Sequence, residues 1–209
     1  MVVSKIPKEK ARSIKSKYKS TLGLYGRHLT KQQRRELLEK LLTRTVIWGE
    51  SHSAYIPKTD EIKLTDTQDT TEVNGTNKGA AHEAVHFLDA HEVLRYSDRL
   101  KYDPLSTKDE HLSTATTVFG DYERLIRNND LNNLNSLIEY WQKIKLRLHD
   151  KGTIESQSYV EGIRLGLKAI KLSRTNFRIG KWFLFLISRG YPELKAEELA
   201  KGFIANSPK

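Results

Sequence analysis

The stretch His82-Glu83-Ala84-Val85-His86 constrains the fold more than any other part of this sequence. In an α-helix, residues four positions apart lie on one face, so the two imidazoles can reach a single cation. Glu83 then lies beside His86 on the helix surface, where its carboxylate can act on a water molecule at that cation. The spacing therefore predicts a helix that carries two metal ligands and an acid–base group.

The residues around this stretch favour a partly buried helix. A capping and turn signal at Asn77-Lys78-Gly79 precedes it, so we expect the helix to run from about Gly79 to Leu94. On a helical wheel, one arc holds the apolar residues Ala81, Ala84, Val85 and Leu88. A second arc holds the polar residues His82, His86 and Asp89.

Composition limits the ligands that a metal site in this chain can use. Among the 209 residues there is no cysteine, which excludes a thiolate site. Zn2+ accepts imidazole and carboxylate ligands, and its catalytic sites combine three protein ligands with a water. We therefore expect Zn2+ at His82 and His86, with Glu83 as the general base that takes a proton from the water.

The third ligand is predicted to come from a later helix. Without a glycine after His86 the motif helix should continue, which places Glu92 on the wrong face. Asp89 shares the histidine arc, and we expect it to orient an imidazole by a hydrogen bond, or else to be a plain surface carboxylate.

Two carboxylates in the segment 153–166 are candidates for that ligand. Glu161 lies among apolar neighbours, where an unpaired carboxylate is costly, and the adjacent Gly162 would admit another element at close range. Glu155 is the alternative in the same segment. Asp121 and Glu123 remain possible on an earlier helix.

The pattern along the chain predicts an α+β fold, with a small N-terminal sheet, the motif helix and a mainly helical C-terminal half. Residues 1–45 have helical periodicity, with Thr30 as a cap, and 45–50 are β-rich. Residues 54–64 indicate two short strands around a turn at 57–60, and 65–78 indicate a loop. Further helices are predicted near 110–127, 131–149, 155–172, 176–189 and 194–204.

The net charge of +10 is concentrated at the N-terminus, where residues 1–45 hold 13 Lys and Arg against three Glu. We therefore divide the chain into a basic helical arm, 1–45, and a domain that carries the motif, 46–209. Such an arm could bind nucleic acid, an acidic protein partner or an anionic membrane. The alternative is a solvated basic helix that aids solubility.

No apolar segment of signal-peptide or membrane-spanning length is present. The longest apolar run, 182–187, is far shorter than the roughly 20 residues that a spanning helix needs, so we predict a buried helix there. We expect a protein without a transmembrane segment that acts in the cytoplasm or is exported without a classical signal.

The residues from His82 to Asp89 resemble the zinc-binding helix of gluzincin metallopeptidases. They are most similar to the anthrax lethal-factor-like catalytic domains, which also have Asp three places after the second His. This resemblance implies a zincin-like fold, two His and a later Glu as zinc ligands, and hydrolysis of peptide bonds with Glu83 as the general base.

A later segment, 158–165, resembles the end of a second helix in that family, where a Glu-x-x-x-Glu core precedes an Arg-Leu pair. The ligand position of the family falls on Gln157 here, and Glu161, one turn later on the same face, could substitute for it. No Tyr matches the oxyanion-stabilising position, and the neighbouring Tyr159 is more typical of a core. The resemblance extends from the strands near Val46 to the helix after Gln157.

The leading hypothesis is therefore a zinc endopeptidase that acts on a protein or peptide. We expect the strand region from Ile56 to Leu64 to serve as the edge strand that aligns an extended substrate. The alternatives are a hydrolase of non-peptide amides and an inactive zincin-like module whose basic arm binds nucleic acid or an acidic protein. A toxin or viral effector docked by that arm is a further possibility.

Overall fold

The computed structural model describes residues 8–48, 53–65, 76–94 and 108–205, with side chains described for 10–47, 53–65, 79–94, 110–153 and 156–205. The chain divides by its contacts into two compact units, Met1–Val93 and Leu94–Lys209. The described elements of the first are α1 (Lys8–Tyr25), α2 (Lys31–Thr43), β1 (Thr45–Trp48), β2 (Ala54–Ile56), β3 (Glu61–Thr65) and α3 (Thr76–Ala90). Those of the second are α4 (Lys108–Arg127), α5 (Leu134–Lys151), α6 (Ile154–Ser173), α7 (Phe177–Ser188) and α8 (Glu193–Ala205).

The architecture confirms the α+β class at a coarse level. The five predicted C-terminal helices are present, although the predicted start at residue 131 is a short 3-10 turn that precedes α5. Most of the predicted loop 65–78, and residues 49 and 50 of the predicted β segment, lie outside the described residues.

The first unit contains a three-stranded sheet in the order β1-β3-β2. β1 pairs with β3 in parallel, and β2 pairs with β3 antiparallel, with Tyr55 opposite Ile62. The predicted hairpin is confirmed, and its turn places Asp60 in the left-handed region with φ of 55°. The edge-strand prediction is wrong for residues 61–64, because β3 lies between β1 and β2 in the sheet that the described strands form.

The two basic helices contribute to the core of the first unit. Ile14, Tyr18 and Leu41 are fully buried. The hydroxyl of Tyr18 donates to Thr45 Oγ1 at 2.7 Å, and that hydroxyl in turn donates to the carbonyl oxygen of Leu41, so α1, α2 and β1 are tied together. Burial raises the pKa of Tyr18. The contacts within the chain place the boundary between the two units after Val93, whereas the charge distribution predicted a domain boundary after residue 45.

The predicted cap of α2 is confirmed as a capping box. Thr30 Oγ1 accepts from the backbone N–H of Gln33, and the Gln33 side chain accepts from the backbone N–H of Thr30. These two bonds satisfy backbone donors that a helix start otherwise leaves open.

The motif helix α3 has different ends from those predicted. It begins at Thr76, so the expected turn at Asn77-Lys78-Gly79 is helical. It ends at Ala90 rather than Leu94, because Glu92 adopts a left-handed conformation (φ 58°) without being glycine. The N–H of Val93 donates to the carbonyl of Leu88 and that of Glu92 to Asp89, a Schellman arrangement in which buried Val93 and Leu88 supply the apolar contact.

In the second unit, α4 packs closely against α6. A Cβ added at Gly162 would lie 2.5 Å from Thr114 Cβ, and one added at Gly166 would lie 2.6 Å from Val118 Cβ. The prediction that Gly162 admits another element at close range is therefore confirmed, and that element is α4.

The apolar run 182–187 lies in α7, where Phe183, Leu184, Leu186 and Ile187 are buried, as predicted. Among the described helices, none combines the length and apolar character needed to span a bilayer.

Candidate metal-binding site

The two histidines of the motif lie one turn apart on α3, with ring centroids separated by 4.9 Å. Both are half-buried. The apolar arc predicted for this helix is buried, and two further side chains extend it: Ala81, Ala84, Val85 and Leu88, joined by Ala80 and Phe87. The helix is therefore fixed on its apolar side while its two imidazoles keep access to a ligand.

A third potential ligand accompanies the two histidines. Within the described part of the chain, one group of three side chains could hold a metal ion: His82, His86 and Glu110. One ligand atom from each residue lies within 4.8 Å of the other two, and all three residues are half-buried.

The local structure of the second unit orients Glu110. This residue lies in the first turn of α4, and its Oε1 accepts a hydrogen bond from Thr114 Oγ1 at 3.2 Å, one turn further along. Thr114 is buried and packs against Gly162 of α6. Because a ligand's orientation depends on the groups that hold it, the close packing of α4 on α6 contributes to the site.

Glu83 has an environment unlike that of a surface carboxylate. Only 5% of the residue is exposed, and Oε2 accepts a hydrogen bond from the backbone N–H of Tyr55 at 2.7 Å. None of the ion pairs between described side chains includes it. The residue is thus held in place by a neutral donor on β2, and no cation among the described side chains neutralises its charge.

The same bond bears on the predicted role of the sheet edge. Tyr55 lies on the edge strand β2, and its N–H is directed to Glu83. A peptide added at this edge could not use that N–H while the bond persists.

A polar cluster fixes the hairpin next to Glu83. The hydroxyl of Tyr55 donates to Asp60 Oδ1 at 2.9 Å, and His91 Nε2 lies 3.0 Å from the same oxygen. Burial and the neighbouring Asp60 raise the pKa of Tyr55 to about 12. Burial alone would raise the pKa of Asp60, but the hydrogen bonds with Tyr55 and His91 and the charge of Arg44 lower it overall.

Two imidazoles and a carboxylate suit Zn2+, and they also bind other divalent transition ions. Comparison of the chain with protein-family models, curated proteins and solved structures finds no match.

The favoured third ligand, Glu161, is not part of the metal-binding group. Its two carboxylate oxygens accept from Arg164, at 2.6 Å from Nη2 and 2.8 Å from Nε. Glu155 belongs to α6, but its side chain lies outside the described residues. Asp89 is half-buried on α3, and Tyr159 is half-buried on α6.

The two remaining carboxylate candidates on α4 have structural partners. Asp121 accepts a hydrogen bond from Trp141 Nε1 at 3.2 Å, and Glu123 lies 2.6 Å from Lys181 Nζ. Both are buried and belong to the packing of the second unit.

Sequence reasoning missed Glu110, although it predicted the helix that carries it. The sequence held two indirect indications of its role. Gly162 indicated that another element approaches α6 closely, and the helix predicted near 110–127 has a carboxylate, Glu110, in its first turn. The prediction instead placed the ligand beside Gly162 itself.

Proposed function

We propose that this chain is a zinc-dependent endopeptidase with a zincin-like active site, in which His82, His86 and Glu110 hold the metal. The observation that carries the proposal is the convergence of two imidazoles and one carboxylate within 4.8 Å. Two His and one Glu form a known catalytic zinc donor set that leaves a position open for water. The donor chemistry therefore fits Zn2+.

Glu83 is the general base in this proposal. When bound, zinc lowers the pKa of a water molecule and polarises the carbonyl of the substrate. The Oε2 atom of Glu83 stays on the Tyr55 N–H, which fixes the carboxylate, while Oε1 accepts the proton of the water. Glu83 then delivers that proton to the leaving amine.

The hydrogen bond between Glu83 and Tyr55 also favours a second candidate function. In that candidate the chain binds zinc without catalysis, and Glu83 serves to secure β2 against α3. A binding protein of this kind would keep its function when the charge of Glu83 is removed. A peptidase would not, because the neutral side chain cannot take up the proton.

Metal analysis tests the ligand set. We expect zinc bound to the purified wild-type chain at one ion per molecule, and loss of most of it in Glu110→Gln and His86→Ala. Glu161→Gln is the matched control, since it neutralises a carboxylate of the other helix and should keep its zinc. Retention of zinc by Glu110→Gln together with its loss in Glu161→Gln would overturn the assignment.

A cleavage assay tests the reaction. The zinc-loaded chain is incubated with a mixture of unstructured peptides and, separately, with non-peptide amides. We expect new peptide amino termini with wild type and none with Glu83→Gln, which can still accept the Tyr55 N–H through its amide oxygen. Cleavage of the non-peptide amides alone would mean that the chain is an amide hydrolase and not a peptidase. Equal turnover by wild type and Glu83→Gln would exclude a catalytic role for Glu83.

A further inference from the structure

A groove between α1 and α2 in the first unit gathers positive charge that the metal site does not use. Its volume is about 500 Å3. Five of the residues that line it are cations: Lys15 and Lys19 from α1, and Lys31, Arg34 and Arg35 from α2. Glu39 is the acidic residue in this lining, so positive charge predominates.

Most of these cations are not neutralised. Arg35 lies 3.8 Å from Glu39, and both side chains are largely exposed. Over the residues whose side chains the structure describes, the other four cations of the groove take part in no ion pair. Like charges held together without counter-charges create a local potential that attracts an anionic ligand.

The charges also have a regular spacing. Lys15 and Lys19 are four residues apart on α1, and Lys31 and Arg35 are four apart on α2. Each pair is therefore separated by about 6 Å along its helix axis. Alternate side chains of an extended peptide repeat at a similar distance, about 6.6 Å.

The groove combines this charge with apolar side chains, because Leu22, Leu38 and Leu42 also line it. We propose that it binds an acidic peptide segment that has apolar side chains between its carboxylates. The carboxylates pair with the two rows of cations, and the apolar side chains contact the leucines. A single-stranded nucleic acid fits less well, since the lining contains no aromatic ring on which an unpaired base could stack.

A groove of the second unit provides an internal contrast. It is also lined by five cations, but two acidic residues, Glu193 and Glu197, lie among them. Lys168 Nζ lies 2.7 Å from Glu193 and 2.8 Å from Glu197, and Arg164 also pairs with Glu193. These ion pairs join α6 to α8, so the charges of this groove stabilise the second unit. The groove between α1 and α2 differs because four of its cations have no ion-pair partner among the described side chains.

Fluorescence anisotropy with the full chain tests the proposal. The probe is a short labelled peptide that alternates Glu with Leu, and its counterpart with Gln in place of Glu is the charge control. We expect saturable binding of the Glu peptide, weakening with salt, and at least about tenfold weaker binding of the Gln peptide. Equal binding of the two peptides would overturn the proposal.

A matched pair of variants locates the site. Lys15→Glu with Lys19→Glu reverses two exposed charges of the groove, four residues apart on α1. Lys143→Glu with Arg147→Glu makes the same change on exposed positions of α5, also four residues apart. We expect the first pair to weaken binding by about tenfold or more and the second to change it by less than about twofold. Circular dichroism confirms that both variants are folded.

Competing occupants are distinguished in the same assay. Labelled duplex DNA and vesicles that contain phosphatidylserine replace the peptide, again with both variants. If the DNA or the vesicles bind more tightly than the Glu peptide, and if only the α1 variant abolishes that binding, then that ligand and not an acidic peptide occupies the groove. Equal loss of peptide binding in the two variants would show a general charge effect and exclude the groove.

Discussion

Helices α3 and α6 each carry a carboxylate that the sequence assigned to the metal site, and the two carboxylates have opposite surroundings. Glu83 on α3 is 5% exposed, is bonded to the backbone N–H of Tyr55 and has no partner among the ion pairs of the described side chains. The Glu161 side chain on α6 is 38% exposed and is engaged by Arg164 through both oxygens.

This difference shows what apolar neighbours do and do not predict. Glu161 has apolar neighbours in the sequence, yet it is partly exposed and paired with Arg164. Glu83, between His82 and Ala84, is buried and has no cation partner among the described side chains. A bidentate pair with arginine takes one lone pair on each carboxylate oxygen and stabilises the charged form, which makes the carboxylate a weaker metal ligand and a weaker base. A neutral donor on one oxygen, such as the Tyr55 N–H on Glu83, positions a carboxylate without neutralising its charge and leaves the lone pairs of the other oxygen for a proton.

Turnover gives the largest expected contrast between the two carboxylates. We expect Glu83→Gln to lower kcat by about 100- to 10,000-fold, because the general base is lost while the Tyr55 N–H keeps an acceptor. Glu161→Gln should change kcat by less than about twofold, since the residue contacts Arg164 and not the metal group. Steady-state cleavage rates of the two zinc-loaded variants measure this contrast. Similar losses of kcat in both variants would contradict the different roles assigned to Glu83 and Glu161.

The packing of α6 against α4 should be sensitive to a single methyl group. We expect Gly162→Ala to lower the free energy of unfolding by about 1–3 kcal/mol, because the new Cβ would lie 2.5 Å from Thr114 Cβ and 2.8 Å from the carbonyl oxygen of His111. The displaced turn carries Glu110, so zinc affinity should fall as well.

Gly202→Ala is the control for this substitution. Gly202 is also helical, but a Cβ added there meets no atom within 4 Å. Its replacement should raise the free energy of unfolding by about 0.5–1 kcal/mol through helix propensity. Urea unfolding measures both changes, and a stabilising Gly162→Ala would contradict the close approach of the two helices.

The bond between Glu83 and β2 should have its own effect on stability. We expect Glu83→Ala to lower the free energy of unfolding of the metal-free chain by about 1–3 kcal/mol more than Glu83→Gln does, since only alanine leaves the Tyr55 N–H without its acceptor. Chemical denaturation of the two variants provides the measurement. Equal stability would mean that water replaces the carboxylate at no cost.

The ion cluster that engages Glu161 should respond to acid. The hydrogen bonds from Arg164, opposed by burial and aided by Lys168, lower the pKa of Glu193 to about 2. A carboxylate with a lowered pKa stabilises the fold above its ordinary pKa, and that stabilisation is lost as the pH falls through the folded value. The stability difference between wild type and Glu193→Gln, about 1–2 kcal/mol at neutral pH, should therefore shrink between pH 4.5 and about 2.

Glu198→Gln serves as the reference on the same helix. The Glu198 side chain is 70% exposed and, among the described side chains, forms an ion pair with Lys195 alone, so its loss should have a small effect at neutral pH. Thermal unfolding of the two variants across this pH range is the measurement. A difference for Glu193→Gln that persists unchanged at pH 2 would contradict the role of the cluster.

The sequence by itself determined the features that depend on neighbours along the chain. The histidine spacing, the apolar arc of α3, the Thr30 cap, the hairpin around residues 57–60 and the five C-terminal helices all follow from local periodicity and capping, and the structure has them. Local backbone geometry repeats every few residues, so it can be inferred from a short window.

Tertiary structure decided what depends on residues far apart in the chain. It directed the Tyr55 N–H to Glu83, 28 residues further along the chain, and it paired Arg164 of α6 with Glu193 of α8, 29 residues further along. It also brought Glu110 into the group with the two histidines. Which side chains from different helices come together depends on how those helices pack, and spacing along the chain carries no record of that packing.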